Sequence, residues 1–319
     1  MSYAALHNHS YYSLLDSTMP PAQIVEAAVA SGMRAVGLAD RDTLAGAVAF
    51  YKHARAAGIH PVIGSEVTLE GGATLVLLIE NACGYRNLCR LLTARIEHPN
   101  GLRPDCLEQF AEGLICLAGP RSEIARAIRS NADPAPALDF LRRVYGPNLV
   151  LEISPHTDED LYLARLFATL SRRHRVPLAT TCDTHYLAPA DRLRYDILAS
   201  MRTLPLLNQR HPEKLPPGRH HWHTEEDMAR FFGGLRQAME NTLRVAERCH
   251  FDFELGDIRF PKFPCENPAA VLRAKAEAGA ARRYGADAEP RVRERLEREL
   301  SVIEEVGYAE YFLVFADLV

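Results

Sequence analysis

His7 and His9 stand two residues apart near the start of the 319-residue chain, and Asp183 and His185 repeat that spacing far downstream. In extended backbone, residues two apart point to the same face. Asp40 closes one apolar run and Glu66 lies near the end of another. Imidazoles mixed with carboxylates, without a thiolate, suit Zn²⁺, Mn²⁺ or Fe²⁺, and a bridging carboxylate can hold two such ions about 3.5–4 Å apart. A cluster of this kind lowers the pKa of bound water and clamps a phosphate, so the chemistry it points to is phosphoester hydrolysis. Taken singly, each residue reads as a structural polar group. Their shared position at strand ends argues for one metal cluster.

The elements that must position them are short apolar segments alternating with helical ones. Seven strand-like pieces can be read: Ala4–Leu6, Ala35–Ala39, Pro61–Val67, Thr74–Ile79, Leu114–Ala118, Leu149–Ile153 and Pro177–Thr181. Pro21 opens a helix with Ile24, Val25, Ala28 and Val29 on one face and Gly32 as its stop. A second helix from about Leu44 carries Val48 and Tyr51. A third follows the Thr157-x-x-Asp160 capping signal and carries Leu163, Leu166, Phe167 and Leu170. Strand–helix–strand at this spacing predicts βα units around a parallel sheet, in which sites form at the C-terminal strand ends.

After Tyr186 the character changes. Residues 187–223 are rich in Pro, Arg and His, and His211, His220, His221 and His223 read as part of a solvent-exposed basic loop, because they lack regular ligand spacing. His156 follows the Glu152 strand and is a lesser candidate for the barrel mouth. Thr224 reads as a helix start, and Phe260-Pro261-Lys262-Phe263-Pro264 as an extended linker. Residues 1–259 and 260–319 are therefore expected as separate domains. The apolar ending, Tyr311-Phe312-Leu313-Val314-Phe315, suggests a piece of something longer.

Composition sets the outer bounds. Hydrophobic residues make up 47% and charged residues 24%, which excludes extended disorder. The longest apolar run is too short for a membrane span, and no secretory pattern opens the chain. A net charge of −4 argues against an autonomous nucleic-acid clamp. Seven cysteines without a Cys-x-x-Cys pair suit reduced thiols in a cytoplasmic protein.

The motifs also carry a resemblance. His7-Asn8-His9-Ser10 with Tyr12-Ser13-Leu14-Leu15-Asp16 resembles the opening of the PHP (polymerase and histidinol phosphatase) domain of bacterial C-family DNA polymerases. Ala39-Asp40-Arg41-Asp42 with Leu44-Ala45-Gly46-Ala47-Val48, then Gly64-Ser65-Glu66-Val67, Gly84-Tyr85-Arg86-Asn87-Leu88 and Cys182-Asp183-Thr184-His185-Tyr186 resemble its later motifs. Glu240-Asn241-Thr242 and Gly307-Tyr308 through Leu313 are similar to the approach to the polymerase palm. The resemblance implies a distorted seven-stranded (βα)7 PHP barrel followed by helical segments leading into a palm. It adds Asp16 to the metal-ligand set of His7, His9, Asp40, Glu66, Asp183 and His185.

Three positions depart from the family pattern. Arg41 stands where a ligand histidine is usual, as in the error-prone branch, while Thr74 and Pro120 replace two further ligands. Arg41 cannot donate a lone pair and is read as a phosphate or ion-pair contact. The expectation is a mainly structural domain of an error-prone DNA polymerase III alpha-type chain, holding one or two divalent ions (Zn, Mn or Mg) or none. Its implied partners are the rest of the polymerase chain and, through it, DNA. No nucleotide incorporation is expected of these residues alone. The alternative is an active metal-dependent phosphoesterase or 3′–5′ exonuclease.

Overall fold

The computed structural model describes residues 3–154, 156–256, 260–285 and 289–318. Two compact units divide between Phe253 and Glu254. Residues 257–259, beside the expected 259/260 boundary, lie outside the described residues.

The first unit runs α1 (Pro21–Ala30), β1 (Ala35–Arg41), α2 (Ala47–Ala56), β2 (His60–Thr68), β3 (Thr74–Ile79), α3 (Ala82–Glu97), α4 (Pro104–Gln109), β4 (Leu114–Ala118), α5 (Glu123–Arg129), α6 (Ala135–Tyr145), β5 (Leu149–Ile153), α7 (Asp158–His174), β6 (Leu178–Thr180), α8 (Arg192–Thr203), α9 (Glu225–Phe232) and α10 (Arg236–Arg248). The strands form one curled mixed sheet in sequence order.

Among the described residues six strands are present where seven were expected. The segment around Ala4–Leu6 is not a regular strand. It touches β1 through an Ala5–Val36 bridge and the chain beyond β6 through an Asn8–Thr184 bridge, so it spans the two edges of the sheet as an irregular stave. The close approach is permitted by Gly37, whose amide donates to the Ala5 carbonyl at 2.7 Å. A Cβ there would lie 2.1 Å from the Leu6 carbonyl oxygen.

The sheet is also not wholly parallel. β3 runs antiparallel to both β2 and β4. Only Leu69–Ala73 separate β2 from β3, too short a connection for a parallel crossover, and the turn uses Gly71 and Gly72 at φ 84° and 87°. β3 therefore begins, rather than ends, where β2 finishes, which brings Thr74 to the same rim as Glu66.

Period-two alternation builds two cores. Val76, Leu78, Ile115 and Leu117 pack inside the curl with Leu6 and Ala39, while Leu75, Leu77, Leu114 and Cys116 face the surrounding helices. α10 and the residue that follows it lay Val245, Ala246 and Cys249 against the inner set. On α1, Ile24, Val25 and Ala28 are buried as expected, but Val29 is exposed; on α2, Phe50 is buried and Val48 is exposed. α7 begins with the Thr157–Asp160 capping box and buries Leu163 and Phe167.

Residues 187–223 depart from the expected exposed loop. They contain α8, and His220 and His223 are buried, because residues 220–222 run back along the chain after β6. The His185 amide donates to the His220 carbonyl at 2.9 Å and a Tyr186–His221 bridge extends the pairing.

The second unit comprises α11 (Pro268–Tyr284), α12 (Pro290–Glu305) and α13 (Ala309–Leu318), which share a small core of Leu272, Leu300, Ala309 and Leu313.

Candidate metal and anion site

Asp183 is the centre of the site. It follows β6 in a left-handed turn (φ 42°), a conformation that aspartate tolerates better than most residues. Its Oδ1 lies 3.0 Å from His9 Nε2, 3.0 Å from His185 Nε2 and 3.5 Å from His7 Nε2. Its Oδ2 lies 3.7 Å from His156 Nε2. Four imidazoles thus turn the same nitrogen toward one carboxylate.

The other nitrogen of each ring explains why. His7 Nδ1 donates to Glu152 Oε1 at 2.8 Å, and His185 Nδ1 donates to the Asp16 carbonyl at 2.6 Å. His156 Nδ1 donates to the Arg219 carbonyl at 2.8 Å. His9 Nδ1 reaches Ser13 Oγ at 3.3 Å, and that hydroxyl donates its own proton to Asp40. Fixing the proton on Nδ1 leaves the Nε2 lone pair for an electrophile, the arrangement by which proteins orient metal-ligating histidines. His7, His9 and Asp183 have ligand atoms close enough to share one ion, as do His156, Asp183 and His220. The donors fit a divalent cation.

Charge compensation tunes these groups. Burial alone would lower the pKa of His7, but Glu152 and then Asp183 reverse this and raise it to about 9. Burial, then His185, lowers His9 to about 4. Burial opposes ionisation of Asp183, yet Arg121 and His7 hold its pKa well below the usual carboxylate range. Burial and the adjacent His156 hold His220 neutral.

The other sequence-derived candidates lie around this centre. Glu66 Oε2 is 3.5 Å from His9, but the carboxylate is also held by Arg41 Nε at 3.3 Å and Arg121 Nη2 at 2.7 Å. Asp16 pairs with Arg41 Nη1 at 3.0 Å and Arg202 Nη1 at 2.8 Å. Asp40 accepts from the Ser10 amide and from the Ser10 and Ser13 hydroxyls at 2.6–2.7 Å, and burial raises its pKa to about 6 against those bonds. It acts through Ser13 on His9 and does not face Asp183.

Sequence reasoning missed Arg121, Arg202, Glu152 and His220. Glu152 carried a signal, since it lies in a strand and could orient a neighbouring histidine. Arg121 stands next to Pro120, the position where a family ligand was sought. Arg202 stands in the last turn of α8, and His220 arrives on the irregular stretch that follows it.

Two cavities adjoin the centre. One of about 220 Å³ is lined by His7, Thr74, Arg121, His156, Asp183 and His220. The other, a cleft of about 740 Å³, is lined by Asp16, Arg41, Arg95, Arg121, Arg202 and Lys214. Asp42 and Glu213 line it too, so five cationic side chains there face three acidic ones.

Residues 5–156 match the PHP domain, and residues 270–319 match the bacterial DNA polymerase III alpha NTPase domain. Over its full length the chain is 35% identical to an error-prone DNA polymerase of Symbiobacterium thermophilum and 33% identical to one of Pseudomonas aeruginosa, covering 32% and 30% of those proteins. It is 31% identical to a DNA polymerase III subunit alpha of Borreliella burgdorferi over 98% of the chain and 30% of the relative. The chain spans about a third of the length of these curated relatives. Among solved structures, an amidohydrolase from Chromobacterium violaceum overlaps 59% of this chain and 89% of its own, at 16% identity and a TM-score of 0.44. The chain therefore carries a PHP domain followed by a segment that matches the bacterial DNA polymerase III alpha NTPase domain, and over 98–100% of its length it aligns with error-prone DNA polymerases and DNA polymerase III alpha subunits.

Proposed function

We propose that this PHP domain is chiefly a structural part of an error-prone DNA polymerase, with an ion site reduced from a hydrolytic one. The His7, His9, Asp183 and His185 donors would hold a divalent cation (Zn, Mn or Mg), which when bound supplies charge neutralisation and an acidified water. The observation carrying this reading is the pairing of Glu66 and Asp16 with Arg41, Arg121 and Arg202. Guanidinium groups stay protonated at any working pH, so they hold Glu66 and Asp16 back from the metal coordination a larger hydrolytic cluster would need. The same arginines suit a phosphate group, which a planar guanidinium binds through two parallel hydrogen bonds.

Phosphoester hydrolysis is accordingly weak or absent. The test is a phosphatase and 3′-exonuclease assay with Mn²⁺ or Zn²⁺, comparing the 319-residue chain with a His7→Ala/Asp183→Ala double variant. Equal, near-background rates are expected. Robust turnover that disappears in the double variant would overturn the reading and favour an active phosphoesterase, for which the four converging Nε2 atoms are the supporting observation. Polymerisation, the rest of the polymerase chain and DNA as partners, and a cytoplasmic location belong to the proposal for the complete protein. Among the described residues, no helix is long and apolar enough to cross a membrane.

A further inference from the structure

We propose that His156, Asp183 and His220 form a second divalent-cation site, set on the opposite carboxylate oxygen of Asp183 from the His7, His9 and His185 group. Each of the three residues offers one ligand atom, and all three atoms lie within 4.8 Å of one another. All three side chains are buried. Two imidazoles and a carboxylate, with the 220 Å³ cavity beside them for a water or an anion, are a donor set of the kind that takes Zn²⁺ or Co²⁺.

His220 is the residue that demands an explanation. It is 2% exposed, and neither of its ring nitrogens has a hydrogen-bond partner among the described residues. His156 Nε2 also lacks one. The two rings stack at 4.0 Å, but stacking leaves the polar nitrogens unsatisfied. A buried polar group without a partner costs on the order of what a lost hydrogen bond costs, and an apolar ring would stack without that cost. A cation shared by the lone pairs of His156 Nε2 and one His220 nitrogen removes the part of the penalty that falls on those two atoms.

The surrounding chain is built to hold this pair in place. The Arg219 amide donates to the His156 carbonyl at 3.1 Å, while His156 Nδ1 donates back to the Arg219 carbonyl. Gly218 makes the approach possible, since a Cβ there would lie 2.7 Å from the His156 carbonyl oxygen. Arg121 is the competitor. Its Nη2 lies 3.3 Å from Asp183 Oδ2, but it makes a shorter contact, 2.7 Å, with Glu66, and its side chain is partly exposed. An ion on Asp183 leaves Arg121 that Glu66 partner.

Because both sites share Asp183, the experiment must separate them. Metal-stripped 319-residue chain is titrated with Co²⁺, followed by visible absorption and by elemental analysis after dialysis. Two ions per chain are expected in the wild type, with one lost in His220→Leu, one lost in His156→Gln, and a different one lost in His9→Ala. If His9→Ala loses its ion while both His220→Leu and His156→Gln bind Co²⁺ as the wild type does, the second site is refuted and the reduced-site reading stands. If the wild type takes up no Co²⁺, both fall. The unmutated chain provides a check that does not depend on a variant folding: two ¹¹³Cd resonances are expected on cadmium loading, and a single one overturns the proposal.

Discussion

His7 faces two carboxylates at once, Glu152 through Nδ1 at 2.8 Å and Asp183 through Nε2 at 3.5 Å. In the metal-free chain a proton on Nε2 does the electrostatic work that a cation would do. Its folded pKa, about 9, lies above the ordinary 6.5. The folded state therefore binds more protons than the unfolded state between those values. The stabilisation is complete below about pH 6.5 and is lost as pH rises toward 9, a change on the order of 3 kcal/mol. Urea midpoints of the metal-stripped chain should fall across that window, and His7→Gln should flatten the fall. Loading a divalent ion at pH 7 must expel the proton, so calorimetry in buffers of different ionisation enthalpy should show proton release. An identical pH profile for wild type and variant would refute the assignment. The sequence carried part of this centre. The period-two pairs His7/His9 and Asp183/His185 were visible because extended backbone imposes that spacing. His220 was not, because its partner His156 lies far away in sequence and the two meet through the bonds between His156 and Arg219 and the pairing of residues 220–222 with the chain after β6.

At the scale of elements, α10 acts as the floor of the barrel. The sequence motif Glu240-Asn241-Thr242 resembles an approach to a polymerase palm, yet its contacts here are to the sheet. Asn241 Nδ2 donates to the Leu178 carbonyl of β6 at 2.7 Å, and Thr242 Oγ1 accepts the Ala4 amide at 2.8 Å while donating to Met239. Thr242 is fully buried and ties the irregular first stave to the barrel. Thr242→Val keeps the shape and removes the acceptor, leaving the Ala4 amide without that partner. A loss of about 1–3 kcal/mol in denaturant unfolding is expected, with no change in the secondary structure seen by circular dichroism. A loss below a few tenths of a kcal/mol would mean that water replaces the hydroxyl. Such ties explain which parts of the fold were legible. The regular strands and the Thr157 and Thr224 caps could be read because each depends on a few adjacent residues. The first stave could not be recognised as irregular, because its partners are Gly37, Thr184 and Thr242, all distant in sequence. The reversal of β3 had a local signal, the short Leu69–Ala73 connection with its Gly-Gly turn, which outweighs the general expectation of βα repeats.

At the scale of the whole molecule, the net charge of −4 conceals a local reversal, for the cleft beside Asp16 is lined by five cationic side chains against three acidic ones, Asp16, Asp42 and Glu213. The two units also differ in how much each buries. The barrel unit has inner and outer apolar cores that run through every strand. The unit from Glu254 to Val319 has only Leu272, Leu300, Ala309 and Leu313 buried among its described residues. Its ion pairs, Arg273 with Glu297 and Lys275 with Asp317, are exposed, and such pairs contribute little. A core of this size supplies at most about 3–5 kcal/mol. Unfolding should therefore take place in two steps, with the three C-terminal helices melting first. The chain carries its own reporter for this: Trp222 is the sole tryptophan, it lies in the barrel unit, and its Nε1 donates to Ser31 Oγ at 3.1 Å. In a urea titration, helical circular dichroism should begin to fall while tryptophan fluorescence stays native, and both should change together only at higher urea. Coincident curves would show that the two units unfold as one cooperative body.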